Sequence, residues 1–263
     1  MDLGLEGKVA VVAAASRGLG YAVATELAAE GARVLICARG SEALEAARAS
    51  IAHATGGEVR ATVADLATAS GIDRVAGEAE RAFGRVDILV NNTGGPPSGP
   101  FEQHDWGAWQ STVDLLLRSA VELTRRVLPG MRQRRWGRII HITSIAAKQP
   151  VDGLILSNAV RAAVTGMART LAGEVATDGV TVNCLLPGYT RTERVEQIAH
   201  ATAAREHIPE AAVLARLEAQ IPMRRLGEPR EFAALAAFLA SERASYITAQ
   251  SFAVDGGWIR SLL

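Results

Sequence analysis

Seven short apolar runs alternate with longer Ala/Glu/Arg segments from one end of the chain to the other, and this alternation leaves few folds open. Residues 9–14, 33–38, 59–64, 86–91, 138–143, 180–186 and 251–254 read as strands. Several of them are nearly continuous apolar runs, which suit parallel strands covered on both faces rather than strands with one wet side. Between them, residues 20–30, 42–54, 72–83, 106–134, 157–176 and 229–240 carry helical patterns. Strand–helix alternation of this kind predicts βαβ units with right-handed crossovers, stacked into an open, doubly wound α/β sheet. No repeat or low-complexity linker interrupts it, so residues 1–263 are expected to form a single domain.

Composition removes other classes. With 28 basic and 28 acidic residues the formal net charge is zero, and the field that draws in nucleic acid is missing. The longest apolar stretches, 9–15 and 233–240, are too short to span a bilayer, so no membrane partner is expected. Asp2 and Glu6 stand where a signal peptide carries positive charge. Cys37 and Cys184 are far apart and form no C-x-x-C pair, which fits a reducing, cytoplasmic location. His53, His104, His141, His200 and His207 show no ligand spacing, and no metal is expected. All but two of the basic residues are Arg, the exceptions being Lys8 and Lys148. The group Arg125, Arg126, Arg132, Arg134, Arg135 and Arg138 reads as the solvated end of a long helix, where cations suit the dipole.

Two regions point to chemistry. The first strand runs into Ala13-Ala14-Ala15-Ser16-Arg17-Gly18-Leu19-Gly20, a glycine-bearing turn that opens the first helix. Such a turn lets backbone approach a pyrophosphate, and the helix N-terminus favours its charge. The second is the connection 189–225, a helical, charged insertion after the sixth strand. Ligands of open α/β sheets lie beyond the carboxyl ends of the strands, so this connection is expected to be a substrate lid.

These blocks, in this order, are similar to the short-chain dehydrogenases/reductases, and in particular to their 3-oxoacyl-[acyl carrier protein] reductase-like members. The resemblance is carried by Ala15 to Gly20, Asp65-Leu66, Asn91-Asn92-Thr93-Gly94, Gly137-Arg138-Ile139-Ile140, Pro187-Gly188 with Thr192, Gly227-Glu228-Pro229 and Val254-Asp255-Gly256-Gly257. It implies a Rossmann-type, seven-stranded parallel sheet with helices on both faces, a nicotinamide dinucleotide lying across it, and a homotetramer or homodimer. The cofactor contacts it implies fall on Ser16, Arg17, Gly18, Leu19 and Gly20 of the turn, on Asp65 and Leu66 near the adenine, and on Asn91 and Gly94 beside the adenosine ribose. Pro187, Gly188 and Thr192 complete them. The cofactor itself follows from charge. Sites selecting NAD place an acid at the end of the second strand, and here that position is Ala38, followed by Arg39. Two cations, Arg17 and Arg39, and no acid favour NADP(H). The family's first turn glycine is Ala14 here, which bears on cofactor affinity if that backbone needs a positive φ.

The catalytic end departs further. The resemblance implies four residues, Asn, Ser and a Tyr-x-x-x-Lys pair on one helical face. Ser144 matches the serine; Tyr has become Ser157, Lys has become Arg161, and the Asn position aligns with Leu116. A serine hydroxyl is a poor general acid, and losing one costs about 10²–10⁴ in rate. Arg161 can still donate to ribose hydroxyls but cannot give up its proton.

Three readings follow. One is an NADPH-dependent oxidoreductase that reduces a carbonyl or imine-like carbon of a small organic substrate with non-standard proton donation. Lys148 and Tyr189 are then candidate donors, and an iminium acceptor needs none. The second is a non-catalytic NADP(H)-binding sensor or assembly subunit. The third, ranked last, is a cofactor-free lyase on the same fold.

Overall fold

The computed structural model describes residues 2–262. The chain alternates as expected: β1 (Val9–Ala13), α1 (Gly18–Ala29), β2 (Arg33–Ala38), α2 (Ser41–Thr55), β3 (Val59–Val63), α3 (Ala69–Phe83) and β4 (Ile88–Asn91) come first. They are followed by α4 (Trp106–Thr112), α5 (Ser119–Arg134), β5 (Gly137–Ile142), α6 (Ile155–Val175) and β6 (Val180–Pro187). The chain ends with α7 (Glu193–Glu206), α8 (Glu210–Gln220), α9 (Pro229–Ala240) and β7 (Ser251–Val254). The strands form one sheet in the order β3-β2-β1-β4-β5-β6-β7, and every pairing is parallel. The fold is the expected seven-stranded, Rossmann-type α/β sheet.

Strand alternation builds two cores from one sheet. In β1, Ala10 and Val12 face the layer where Val23 and Leu27 of α1, Leu44 and Ile51 of α2, and Phe232 of α9 are buried. Val9, Val11 and Ala13 face the other layer, with Val75 of α3, Leu123 and Met131 of α5, and Ala172 of α6. Successive residues of a strand point to opposite faces, so a run that is apolar at every position needs cover on both.

One feature differs from expectation. The helix expected over 106–134 is broken: α4 and α5 are joined by a π-helical stretch, Val113–Arg118, whose wider turn buries Leu116. Such widened turns inside α-helices are common beside functional sites. The insertion 189–225 is two helices, α7 and α8, with small apolar cores of their own around Val195, Leu217 and Ile221 and around Ala199, Ala203 and Val213. Its ends are tied together, Arg191 N–H to the Gly227 carbonyl at 2.8 Å and Gly227 N–H to the Tyr189 carbonyl at 3.0 Å. Among the described residues no helix is long and apolar enough to cross a membrane.

Candidate active site

Because all seven strands are parallel, their carboxyl ends share one edge of the sheet. Strand order reverses between β1 and β4, and crevices at such switch points are where ligands of open α/β sheets bind. A cavity of about 810 Å³ opens there. It gathers residues far apart in sequence: Ser16, Arg17, Gly18 and Leu19 from the first turn, Arg39 after β2, Asp65 and Leu66 after β3, and Gly94 after β4. Ser144 after β5, Ser157 and Arg161 on α6, Pro187 at the end of β6, and Gly188, Tyr189 and Thr192 beyond it also line the cavity.

The first turn is shaped to admit backbone-bound anions. Gly18 has φ +60°, and α1 begins with no side-chain cap, so its leading N–H groups are not occupied by a capping oxygen. Gly20 is buried behind the turn rather than in the cavity; a Cβ there would lie 2.4 Å from the Ala14 carbonyl oxygen. Its role in this chain is close packing. Ala14 has φ +50°, so an alanine occupies the left-handed region where the family glycine stands. Ala14→Gly should raise stability by about 1 kcal/mol, read from denaturant unfolding, because the left-handed penalty on a Cβ disappears.

Charge divides the two expected phosphate-reading arginines. Arg17 forms an ion pair with Glu193 at the start of α7, tying the turn to the insertion. Arg39 is exposed and has no acidic partner among the described residues. Asp65 turns its carboxylate back onto its own loop, accepting from Ala67 N–H at 3.0 Å. Asn91 contributes no surface to the large cavity. It is the last residue of β4, and its side chain lies on the inner face, where Nδ2 reaches Thr124 Oγ1 at 3.4 Å and His141 Nδ1 at 3.1 Å. The next residue, Asn92, points the other way and lines the cavity.

At the far end, Ser144 Oγ accepts from Ala146 N–H at 3.1 Å, which leaves its own O–H free to donate. Ser157 and Arg161, one helical turn apart on α6, are bonded to each other, Arg161 Nε donating to Ser157 Oγ at 3.2 Å. Arg161 Nη1 donates to the carbonyls of Ile142 (3.1 Å) and Thr143 (2.8 Å). Burial, and then the neighbouring Arg194 charge, bring Arg161 down to about 10, which leaves it cationic at neutral pH. Tyr189 packs edge-on against Trp258 with ring centroids 6.1 Å apart, and burial pushes its hydroxyl up. Lys148 is set apart from these groups. It is exposed beyond the short turn that follows Ser144 and does not line the cavity. Among the described residues no cluster of three or more His, Cys, Asp or Glu side chains is placed to hold a metal.

Sequence reasoning missed Arg194. It lies in the first turn of α7, lines the cavity, and donates from Nη2 to the Pro96 carbonyl at 3.0 Å across the mouth from β4. No local spacing marks it, since its neighbours come from residues a hundred positions earlier.

An all-parallel, doubly wound sheet whose order reverses at a glycine-lined cleft defines a dinucleotide-fold protein. The family model described as enoyl-(acyl carrier protein) reductase matches residues 13–259. The chain belongs to the short-chain dehydrogenase/reductase family. It is 37% identical to a 3-oxoacyl-[acyl-carrier-protein] reductase of Synechocystis sp. over 257 residues, covering 97% of this chain and 98% of that one. The L-sorbose reductase of Gluconobacter frateurii, solved with NADPH and L-sorbose, superposes with a TM-score of 0.95 at 36% identity, covering all of both chains. An actinorhodin polyketide ketoreductase solved with NADPH superposes with a TM-score of 0.92 at 30% identity, over 97% of this chain and 98% of that one.

Proposed function

We propose that the protein is an NADPH-dependent reductase acting on a carbonyl or imine-like carbon of a small organic substrate. The observation that carries the reading is one cavity joining an uncapped helix N-terminus behind a glycine turn to a free serine hydroxyl. The relatives solved with NADPH support the cofactor, as does the pairing of Ala38 with an unpartnered Arg39 where an acid would select NAD. The bound nicotinamide would supply hydride.

The protein's own residues would do the rest. Gly18 and the N–H groups opening α1 would hold the pyrophosphate, with Thr192 beside them; a Cβ at Gly18 would lie 3.7 Å from Thr192 Cγ2. Arg39 would meet the 2′-phosphate. Ser144 would donate its O–H to the substrate oxygen or nitrogen and fix its orientation. Helices α7 and α8 would cover the site as a lid. Tyr189 is the proton donor this geometry favours over Lys148, because it lines the cavity and Lys148 does not. An iminium substrate would need neither. Exposed small residues on α6, Ala159, Ala162, Ala163 and Gly166, would let a second copy approach closely in a homodimer or homotetramer.

Calorimetric titration of NADPH and NADH into the purified protein tests the first step. NADPH should bind at least tenfold tighter, and Arg39→Ala should weaken NADPH by about tenfold while leaving NADH unchanged, the low end for an exposed charge-assisted contact. Equal binding of the two would remove Arg39 from the 2′-phosphate, and no binding at millimolar cofactor would end the reductase reading. The second reading, a cofactor-binding sensor, is favoured by the Ser157–Arg161 bond, which stands where the family's Tyr–Lys pair belongs. It requires NADPH binding with no turnover on ketone, aldehyde and imine panels.

A further inference from the structure

Most arginines of this chain that reach another element are matched to an acid: Arg17 to Glu193, Arg126 to Asp73, Arg132 to Asp178, Arg191 to Glu228. Arg161 and Arg194 are different. Both line the large cavity, both are partly buried, and neither has a carboxylate within ion-pair distance among the described residues. Each is fixed through neutral groups. Arg161 spends Nε and Nη1 on Ser157 and on the two carbonyls at the end of β5, which leaves the N–H pair of Nη2. Arg194 spends one N–H of Nη2 on Pro96 and lies flat on Gly95, where a Cβ would meet its guanidinium at 3.0 Å. Four of its donors stay free.

The two cations come from elements with no sequence relation, and they lie within each other's field. Arg194 depresses Arg161, and burial depresses both. Two like charges held together away from bulk water oppose each other, and the arrangement is relieved by an anion accepting from both. The anion's place in the cavity can be read from Arg161. That side chain is bonded to Ser157 and to Thr143, the residue before Ser144, so an oxyanion on Nη2 sits at the serine end. The pyrophosphate end is at the first turn, where the nearest arginine, Arg17, is already paired with Glu193.

We propose that Arg161 and Arg194 form an anion subsite that selects substrates carrying a carboxylate close to the carbon that is reduced. The proposal rests on the reductase reading. Arg194 is a specificity residue brought by the lid, so the subsite is complete only when α7 is seated across Gly95 and Pro96.

The test separates the two claims. NADP⁺ is titrated first, and the loaded protein is then titrated calorimetrically with 4-oxopentanoate, 4-oxo-4-phenylbutanoate and 2-oxo-4-phenylbutanoate, each against its methyl ester. At least one acid should bind about tenfold or more tighter than its ester, the low end for charge-assisted pairing. Arg194→Met should abolish that preference, leave ester binding unchanged and change NADP⁺ affinity less than twofold, and Arg194→Lys should keep part of it. Equal binding of every acid and its ester overturns the subsite. So does an Arg194→Met variant that loses NADP⁺ as steeply as the acid, which would assign the guanidinium to the dinucleotide phosphates. If NADP⁺ fails to bind, the reductase reading falls, and the acid–ester comparison on the free protein still decides the subsite.

Discussion

Ser144→Ala should lower kcat by about 10²–10³ while NADPH affinity stays within twofold of the parent. Ser144 stands at the carboxyl end of β5, and its Oγ is anchored by Ala146 N–H at 3.1 Å. That bond sets the oxygen in place and leaves its proton free to donate from a side chain that lines the cavity. A donor fixed before the reaction needs no reorganisation as charge builds on the substrate oxygen, and this is why removing one costs so much. The loss should fall on kcat rather than on cofactor binding, because Ser144 lies at the opposite end from the glycine turn. Tyr189→Phe on the same panel assigns the proton: a pH-dependent loss makes Tyr189 the donor, and an unchanged profile removes it. Single-turnover rates with saturating NADPH give both answers. An unaltered rate in Ser144→Ala would leave the cavity without its principal polarising group and transfer the weight to the sensor reading.

The second large effect is on stability in acid. His141 lies inside β5, 1% exposed, and Asn91 Nδ2 donates to its Nδ1 at 3.1 Å. Burial lowers its pKa from 6.5 to about 4. The native imidazole is therefore harder to protonate than the unfolded one, and as pH falls the unfolded chain takes up the proton first. The contribution is whole above pH 6.5, declines as pH falls from 6.5 to 4, and is gone below that. A depression of this size corresponds to roughly 3 kcal/mol. Urea unfolding at pH 7 and pH 4 should show His141→Leu losing about 3 kcal/mol less than the parent across that interval. Parallel losses in the two proteins would contradict the buried neutral imidazole, and a nuclear magnetic resonance titration of His141 in the parent reads the same quantity without a substitution.

The secondary elements, the parallel sheet and the glycine turn that opens α1 were legible because each rests on local chemistry. Continuous apolar strands need two covered faces, and a glycine turn that opens a helix admits an anion; neither depends on what packs nearby. That β2 ends on Ala38 rather than an acid, with Arg39 following, is likewise a local fact visible in one dimension. The break between α4 and α5 was not. The 3.6-residue pattern passes through Val113–Arg118 without interruption, and the wider turn shows only in the folded backbone, where Leu116 is the residue buried.

Three matters were decided by tertiary structure alone. The strain at Ala14 depends on a φ of +50°, which the turn imposes and the residue does not prefer. Asn91 and Asn92 read alike as neighbours in a motif, yet strand alternation sends one into the core and the other into the cleft. Arg194 faces the same cavity as Arg161 because the connection after β6 folds back over Gly95 and Pro96. The residue order specified the scaffold, because its rules are local in sequence. The electrostatics of the site were set by the fold, because charges act through distances that only the closed chain defines.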